Sequence, residues 1–176
     1  MDPSTLRTWS EAGLMHILSA GALAPRRGDA SGLLPPFSDC LARAKGRPLF
    51  ALTYLELGFD LCGRSDPARR GLWTGLIAEC GNMSGKTVFV PCAVPEGDAL
   101  RSDADSFWEC LGRLGPRYLL LFGGDAAAAL FPFARDLGDR WYYRNLTVLL
   151  FPETAALLPF PNALSDQAAQ RIKTLM

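Results

Sequence analysis

Three arginines, five cysteines and one glycine-rich turn carry much of the chemistry that this sequence could perform. Arg64, Arg69 and Arg70 stand close together, a density of guanidinium groups able to hold a phosphate backbone or an anionic ligand. The ordinary reading of such a cluster at a helix start is a solvated face. Gly123, Gly124 and Asp125 open a helix directly after an apolar run. Backbone N–H groups at such a turn can cradle a phosphate, although the pattern is neither GxGxxG nor a P-loop. Cys40, Cys62, Cys80, Cys92 and Cys110 are scattered, with no CxxC pair. An odd count, with no recognisable export signal, speaks against a disulfide framework and for buried thiols. The single histidine, His16, falls on an apolar helical pattern, where histidines are ordinarily structural.

The elements that must position these groups belong to one domain of 176 residues, 49% of them hydrophobic. The opening stretch, MDPSTLRTWSEAG, lacks the basic start and apolar core of a signal peptide, so a cytoplasmic location is expected. No apolar run reaches the roughly 18–20 residues of a membrane span, so no membrane partner is expected. Eighteen basic side chains balance 18 acidic ones. Dedicated nucleic-acid binders draw most of their affinity from a basic excess, which this chain lacks, so any DNA contact would depend on a local patch.

Residues 1–36 read as an N-terminal extension: a helix capped by Ser4 and then a loop rich in glycine and proline. A short helix around SDCLARAK precedes the buried strand PLFALTYL (48–55) and a loop (57–67). A helix over ARRGLWTGLIAECG, the strand KTVFVPC (86–92), a polar loop PEGDALRS and a helix through DADSFWECLGRL follow. RYLLLF (117–122) is the third strand, GGDAAAALF the next helix, and RWYYRNLTVLLF (140–151) a small hairpin feeding the last core strand. LSDQAAQRIKTL closes the chain as a helix. Strands with near-continuous apolar runs, alternating with helices, predict an α/β fold: a three-layer α/β/α sandwich around a mainly parallel four-stranded sheet. Ligands of such sheets sit beyond the carboxyl ends of the strands, here the loops after Tyr54, Val90, Phe122 and Phe151.

At those loops the sequence resembles the uracil-DNA glycosylase superfamily, in particular its bacterial iron–sulfur branch, over roughly residues 37–176. GRSDPARRG (63–71) stands where the family has a GRPFVGxAG-like segment. PCAVPEGDALRSDADSFWEC resembles the family's cysteine, Pro-rich loop and second cysteine. LLLFGGDAAAALF resembles its LxLGxxAAxxLLG turn, and FPETAALLPFP its HPSxLLxxP motif. The order of these four segments, more than any one of them, carries the resemblance.

The resemblance also implies what has changed. The family's acidic residue after the first strand, which orients or activates the attacking water, falls on Leu55, with Glu56 one residue later and Asp60 further along the loop. The ring that stacks on the extruded base becomes Asp66, which has no π-face. The asparagine that reads the uracil edge becomes Val88. The histidine that stabilises the leaving anion becomes Phe151, before a retained Pro152. Losing one anion-stabilising donor alone costs about 10²–10³ in rate. Leu157 and Leu158 fall where the family inserts a wedge beside the extruded base, a position equally suited to packing the last helix. Cys40, Cys92 and Cys110 match three of the branch's four cluster ligands, and the fourth position is Phe37. Clusters are normally held by four thiolates. The expectation is therefore no cofactor, with a residual iron–sulfur cluster as the alternative.

Three functional readings follow. The first is a glycosylase-fold protein that has lost uracil excision and serves as a binding or accessory module, its cleft formed by Tyr54, Gly58, Arg64, Asp66, Arg69, Arg70, Gly123, Phe151 and Leu157. Its partner would be single- or double-stranded DNA, a nucleobase or nucleotide, or another protein. The second is a divergent N-glycosidic hydrolase with Glu56 or Asp60 activating water, and backbone amides around Gly58 and Gly123 in place of the histidine. The third is an iron–sulfur or redox protein.

Overall fold

The computed structural model describes residues 32–44, 46–81, 83–134, 137–158 and 161–175. The helix expected after Ser4, with His16, lies outside them.

Helix α1 (Phe37–Arg43) leads into strand β1 (Phe50–Tyr54), the short helix α2 (Leu57–Leu61) and helix α3 (Pro67–Glu79). Strand β2 (Thr87–Phe89), a hairpin of β3 (Ala93–Glu96) and β4 (Ala99–Ser102), and helix α4 (Ala104–Leu114) come next. Strand β5 (Tyr118–Phe122), helix α5 (Gly124–Leu130), strands β6 (Arg140–Tyr143) and β7 (Leu146–Phe151), and helices α6 (Thr154–Leu157) and α7 (Pro161–Lys173) complete the order.

A five-stranded sheet runs β2-β1-β5-β7-β6, parallel through its first four strands, with β6 antiparallel at the edge. β1 and β5 are buried along their whole length, which is why FALTY and YLLLF carry no polar alternation. Side-chain alternation divides the interior into two layers. Ala51, Leu119, Leu121 and Val148 face α1, α4 and α5, meeting Phe37, Phe107, Leu111 and Leu130. Phe50, Leu52, Leu120 and Leu149 face α3 and α7, meeting Leu72, Leu76, Ala169 and Ile172. The result is a mixed α/β fold with a mostly parallel sheet covered by helices on both faces.

Three details correct the expected architecture. The sheet has five strands rather than four, because RWYY pairs along β7 as an edge strand. Arg144 (φ 47°) and Asn145 (φ 67°) form the two-residue turn, whose positive φ values suit the twist of such hairpins. The polar segment after Cys92 forms a second, separate hairpin, β3–β4, turning at Gly97 (φ 64°). The loop after β1 contains α2, whose five residues are too few to show helical periodicity. α3 starts where its cap dictates: the Asp66 side chain accepts from the Ala68 N–H at 2.7 Å, and Pro67 occupies the first turn.

Candidate functional site

The parallel register places Tyr54, Phe122 and Phe151 side by side at the carboxyl ends of β1, β5 and β7. All three turn toward α3 and α7. Phe122 stacks on Phe151 with ring centroids 4.7 Å apart. Trp73 of α3 stacks on Tyr54 at 4.8 Å and meets Phe122 edge-on at 4.7 Å. The Arg171 guanidinium lies 4.8 Å from the Phe151 ring centre. Each of the four aromatic residues is at most 5% exposed. The ground on which an open sheet usually receives its ligand is here filled by a packed aromatic cluster.

At the rim of that cluster, Asp60 gathers four hydrogen bonds. The Tyr54 hydroxyl donates to Oδ2 at 2.6 Å, and Arg69 Nε donates to the same oxygen at 3.0 Å. Arg69 Nη2 donates to Oδ1 at 2.8 Å, and the Asp66 N–H reaches Oδ1 at 3.2 Å. Burial alone would raise the Asp60 carboxyl, but the Arg69 fork, the Tyr54 hydroxyl and the Asp66 N–H together hold it below its ordinary value. The Tyr54 hydroxyl is pushed up, first by burial and then by its bond to Asp60. Arg69 is driven further toward the charged state by the same carboxylate. The network ties β1, α2, the loop before α3 and α3 together. With about four lone-pair sites on a carboxylate, these four bonds commit Asp60 to holding the network together.

The arginines suggested by sequence therefore separate. Arg69 points inward to Asp60 and Asp66. Arg64 crosses to the β3–β4 turn, donating to Gly97 O at 3.0 Å and Asp98 Oδ1 at 3.3 Å, with its guanidinium 5.3 Å from the Phe59 ring centre. Only Arg70 of the three has no acidic partner among the described residues; it donates to Ser65 Oγ at 2.7 Å. It stands at the mouth of a cavity of about 280 Å³ lined by Tyr54, Asp60, Ser65, Asp66 and Trp73. The Trp73 indole N–H is buried beside the Tyr54 hydroxyl, with no hydrogen bond of ordinary geometry to any of the described residues. Sequence reasoning did not single out Trp73 or Ser65; the signal it passed over was an aromatic residue one helical turn beyond Arg69 and Arg70.

Glu56 is half-buried and receives the Thr154 hydroxyl at 3.4 Å, a bridge between the loops after β1 and β7. A Cβ on Gly58 would collide with the carbonyl oxygen of Ala93, so glycine lets α2 lie directly on β3. Gly123 (φ 95°) donates its N–H to Phe151 O at 3.1 Å, which removes that amide from anion binding. Leu157, 2% exposed, packs inward with α7 instead of projecting from the surface. Val88 is buried in the α1 layer.

Phe37, Cys40, Cys92 and Cys110, drawn from three separate segments, share that same core layer. Each thiol donates to a different carbonyl: Cys40 to Phe89 at 3.1 Å, Cys92 to Tyr54 at 3.7 Å and Cys110 to Phe37 at 3.8 Å. Burial pushes the Cys40 thiol up to about 11 and the Cys110 thiol up to about 12, and raises Cys92 as well. Among the described residues, no three histidine, cysteine or acidic side chains converge as a metal-binding group. Cys80 is buried on the opposite face, and Cys62 is exposed.

Compared with known proteins, the sequence matches no family model and no curated protein. Among the described residues, no helix is long and apolar enough to cross a membrane.

Proposed function

We propose that this chain is a uracil-DNA glycosylase-fold protein that no longer excises uracil and works as a binding module for a nucleobase or nucleotide. The observation that carries the reading is the environment of Phe151. The resemblance assigns that position to an anion-stabilising histidine. Here it is 3% exposed, with Phe122 against its ring and Arg171 beside it. Two further features support it. Phe37, Cys40, Cys92 and Cys110 come together in one layer, as the family's cluster positions would. Asp66 serves as the cap of α3 in place of a stacking ring.

The cavity beside Trp73 favours a small planar ligand over a duplex. It offers aromatic walls, a buried indole N–H and, at its mouth, the Arg70 guanidinium, which holds Ser65 but has no acidic partner among the described residues. The balanced overall charge gives a duplex no broad attraction. A second reading, hydrolysis of an N-glycosidic bond, rests on Glu56, the half-buried carboxylate that the Asp60 network leaves uncommitted.

Labelled DNA containing uracil, hypoxanthine or xanthine, treated with alkali after incubation, separates the two. No cleavage on any substrate is the expected result. Cleavage that disappears in Glu56→Ala would overturn it. Titration with nucleoside monophosphates, followed by tryptophan fluorescence, then tests binding directly. Arg70→Ala is expected to weaken it about tenfold, the scale of one charge-assisted contact.

A further inference from the structure

A second cavity, of about 340 Å³, lies on the far edge of the sheet between α1 and β2, and nothing in the reading above uses it. Pro36, Cys40 and Ala44 form its α1 wall, Pro48 and Leu61 close its ends, and Thr87, Val88 and Phe89 form its floor. The lining is mainly apolar. Asp39 and Arg43, both exposed, stand one turn apart on its rim and give it no net charge.

The floor carries specific chemistry. Among the described residues β2 is an edge strand, paired with β1 alone. In the parallel register Phe50↔Thr87, Ala51↔Val88, Leu52↔Phe89, its bonds to β1 include one at each end: Phe50 N–H donates to Lys86 O, and Val90 N–H donates to Leu52 O. Alternate residues of a strand direct their backbone groups to the same side, so Thr87 and Phe89 turn theirs away from β1. The Phe89 carbonyl is taken by the Cys40 thiol. The Thr87 carbonyl and the Phe89 N–H have no partner among the described residues. An acceptor and a donor thus sit next to each other on the wall of an apolar cavity.

We infer that the α1–β2 cavity binds a flat, uncharged cyclic amide, whose ring N–H donates to the Thr87 carbonyl and whose carbonyl accepts from the Phe89 N–H. Such an edge presents a donor and an acceptor on neighbouring ring atoms, and the ring supplies the apolar area that the walls can cover. An added peptide strand fits less well. β2 has three residues, and the carbonyl that would continue the ladder is already occupied by Cys40. The inference needs no glycosylase resemblance; Leu61 and Phe89 line both this cavity and the one beside Trp73, whereas Thr87 belongs to this one and not to the other.

The test uses isoquinolin-1(2H)-one as probe and its N-methyl derivative as control, titrated into the isotopically labelled full chain. Backbone amide shifts are recorded by NMR. Saturable shifts at Thr87 and Phe89 are expected, with those of Trp73 and Thr74 unmoved. N-methylation should weaken binding at least about tenfold, because it leaves a desolvated carbonyl unpaired. Ala44→Phe, which fills the cavity from the half-exposed end of α1, should remove the Thr87 and Phe89 shifts. Equal affinity for the N-methyl compound, shifts confined to the Trp73 region, or no saturable binding would overturn the inference. So would an extended peptide that moves the β2 amides while the lactam does not.

Discussion

The two faces of the sheet solve the problem of buried polar atoms in opposite ways. On the α1 side, the sulfurs of Cys40, Cys92 and Cys110 stay neutral and each donates to one backbone carbonyl. On the α3 side, an ionised pair, Asp60 and Arg69, sits at the rim of an aromatic cluster and is satisfied by Tyr54 and Asp66. The thiols contribute soft, replaceable packing. The ion pair contributes a fixed geometry that collapses when one partner is removed. Residues that look equally chemical in the sequence thus divide into filler and framework.

This contrast can be broken by mutation, and the aromatic cluster should give the largest effects. Phe122→Ala or Phe151→Ala is expected to cost about 3–5 kcal/mol in urea denaturation, the scale of an emptied core ring site. Cys110→Ala, on the other face, should cost about 1 kcal/mol. Comparable losses on both faces would erase the distinction. Arg69→Met should cost about 2–4 kcal/mol, because it strands the Asp60 carboxylate at a largely desolvated site. Adding Asp60→Asn to it should recover part of that loss. Additive losses would mean the pair is not a unit.

Tyr54→Phe removes one hydrogen bond to a charged acceptor and is expected to cost about 1.5–2 kcal/mol. The acid limb sharpens the same point. Asp60 has a lowered pKa in the folded chain, so its stabilisation is present above the unfolded value of about 4 and is lost as pH falls through the folded value. Stability measured from pH 6 down to pH 2 should therefore fall less steeply in Asp60→Asn than in the parent. The smallest perturbation is chemical. At pH 8, an aromatic disulfide reagent should label Cys62 at once, with the buried Cys40, Cys80, Cys92 and Cys110 reacting only on denaturation. Rapid labelling of Cys40 would show that the α1 layer opens.

Much of the scaffold was legible because its strands are apolar on both faces: FALTY and YLLLF admit no other place in a globular chain. Helix limits came within a residue or two: α3, expected from Ala68, begins at Pro67 behind the Asp66 cap, and α4, expected over 103–114, spans Ala104–Leu114 before Gly115. The hairpin β3–β4 was not, since AVPE and ALRS lie outside the main sheet and have mostly exposed or half-exposed faces that mimic a loop. The candidate site was legible in its members but not in its wiring. Arg69 and Arg70 are neighbours in sequence, yet one residue of helical rotation turns the first toward Asp60 and the second toward solvent. The Trp73 spacing from Arg69 and Arg70 is local, but its contact with Tyr54 and Phe122 depends on α3 crossing the ends of β1 and β5.

Gly58 has a consequence beyond close packing. Because α2 rests backbone to backbone on β3, and Arg64 grips the tip of the same hairpin at Gly97 and Asp98, the hairpin is clamped at both its base and its turn. α2 in turn carries Asp60. The β3–β4 arm is therefore joined through α2 to the carboxylate that holds Tyr54 and α3 in place.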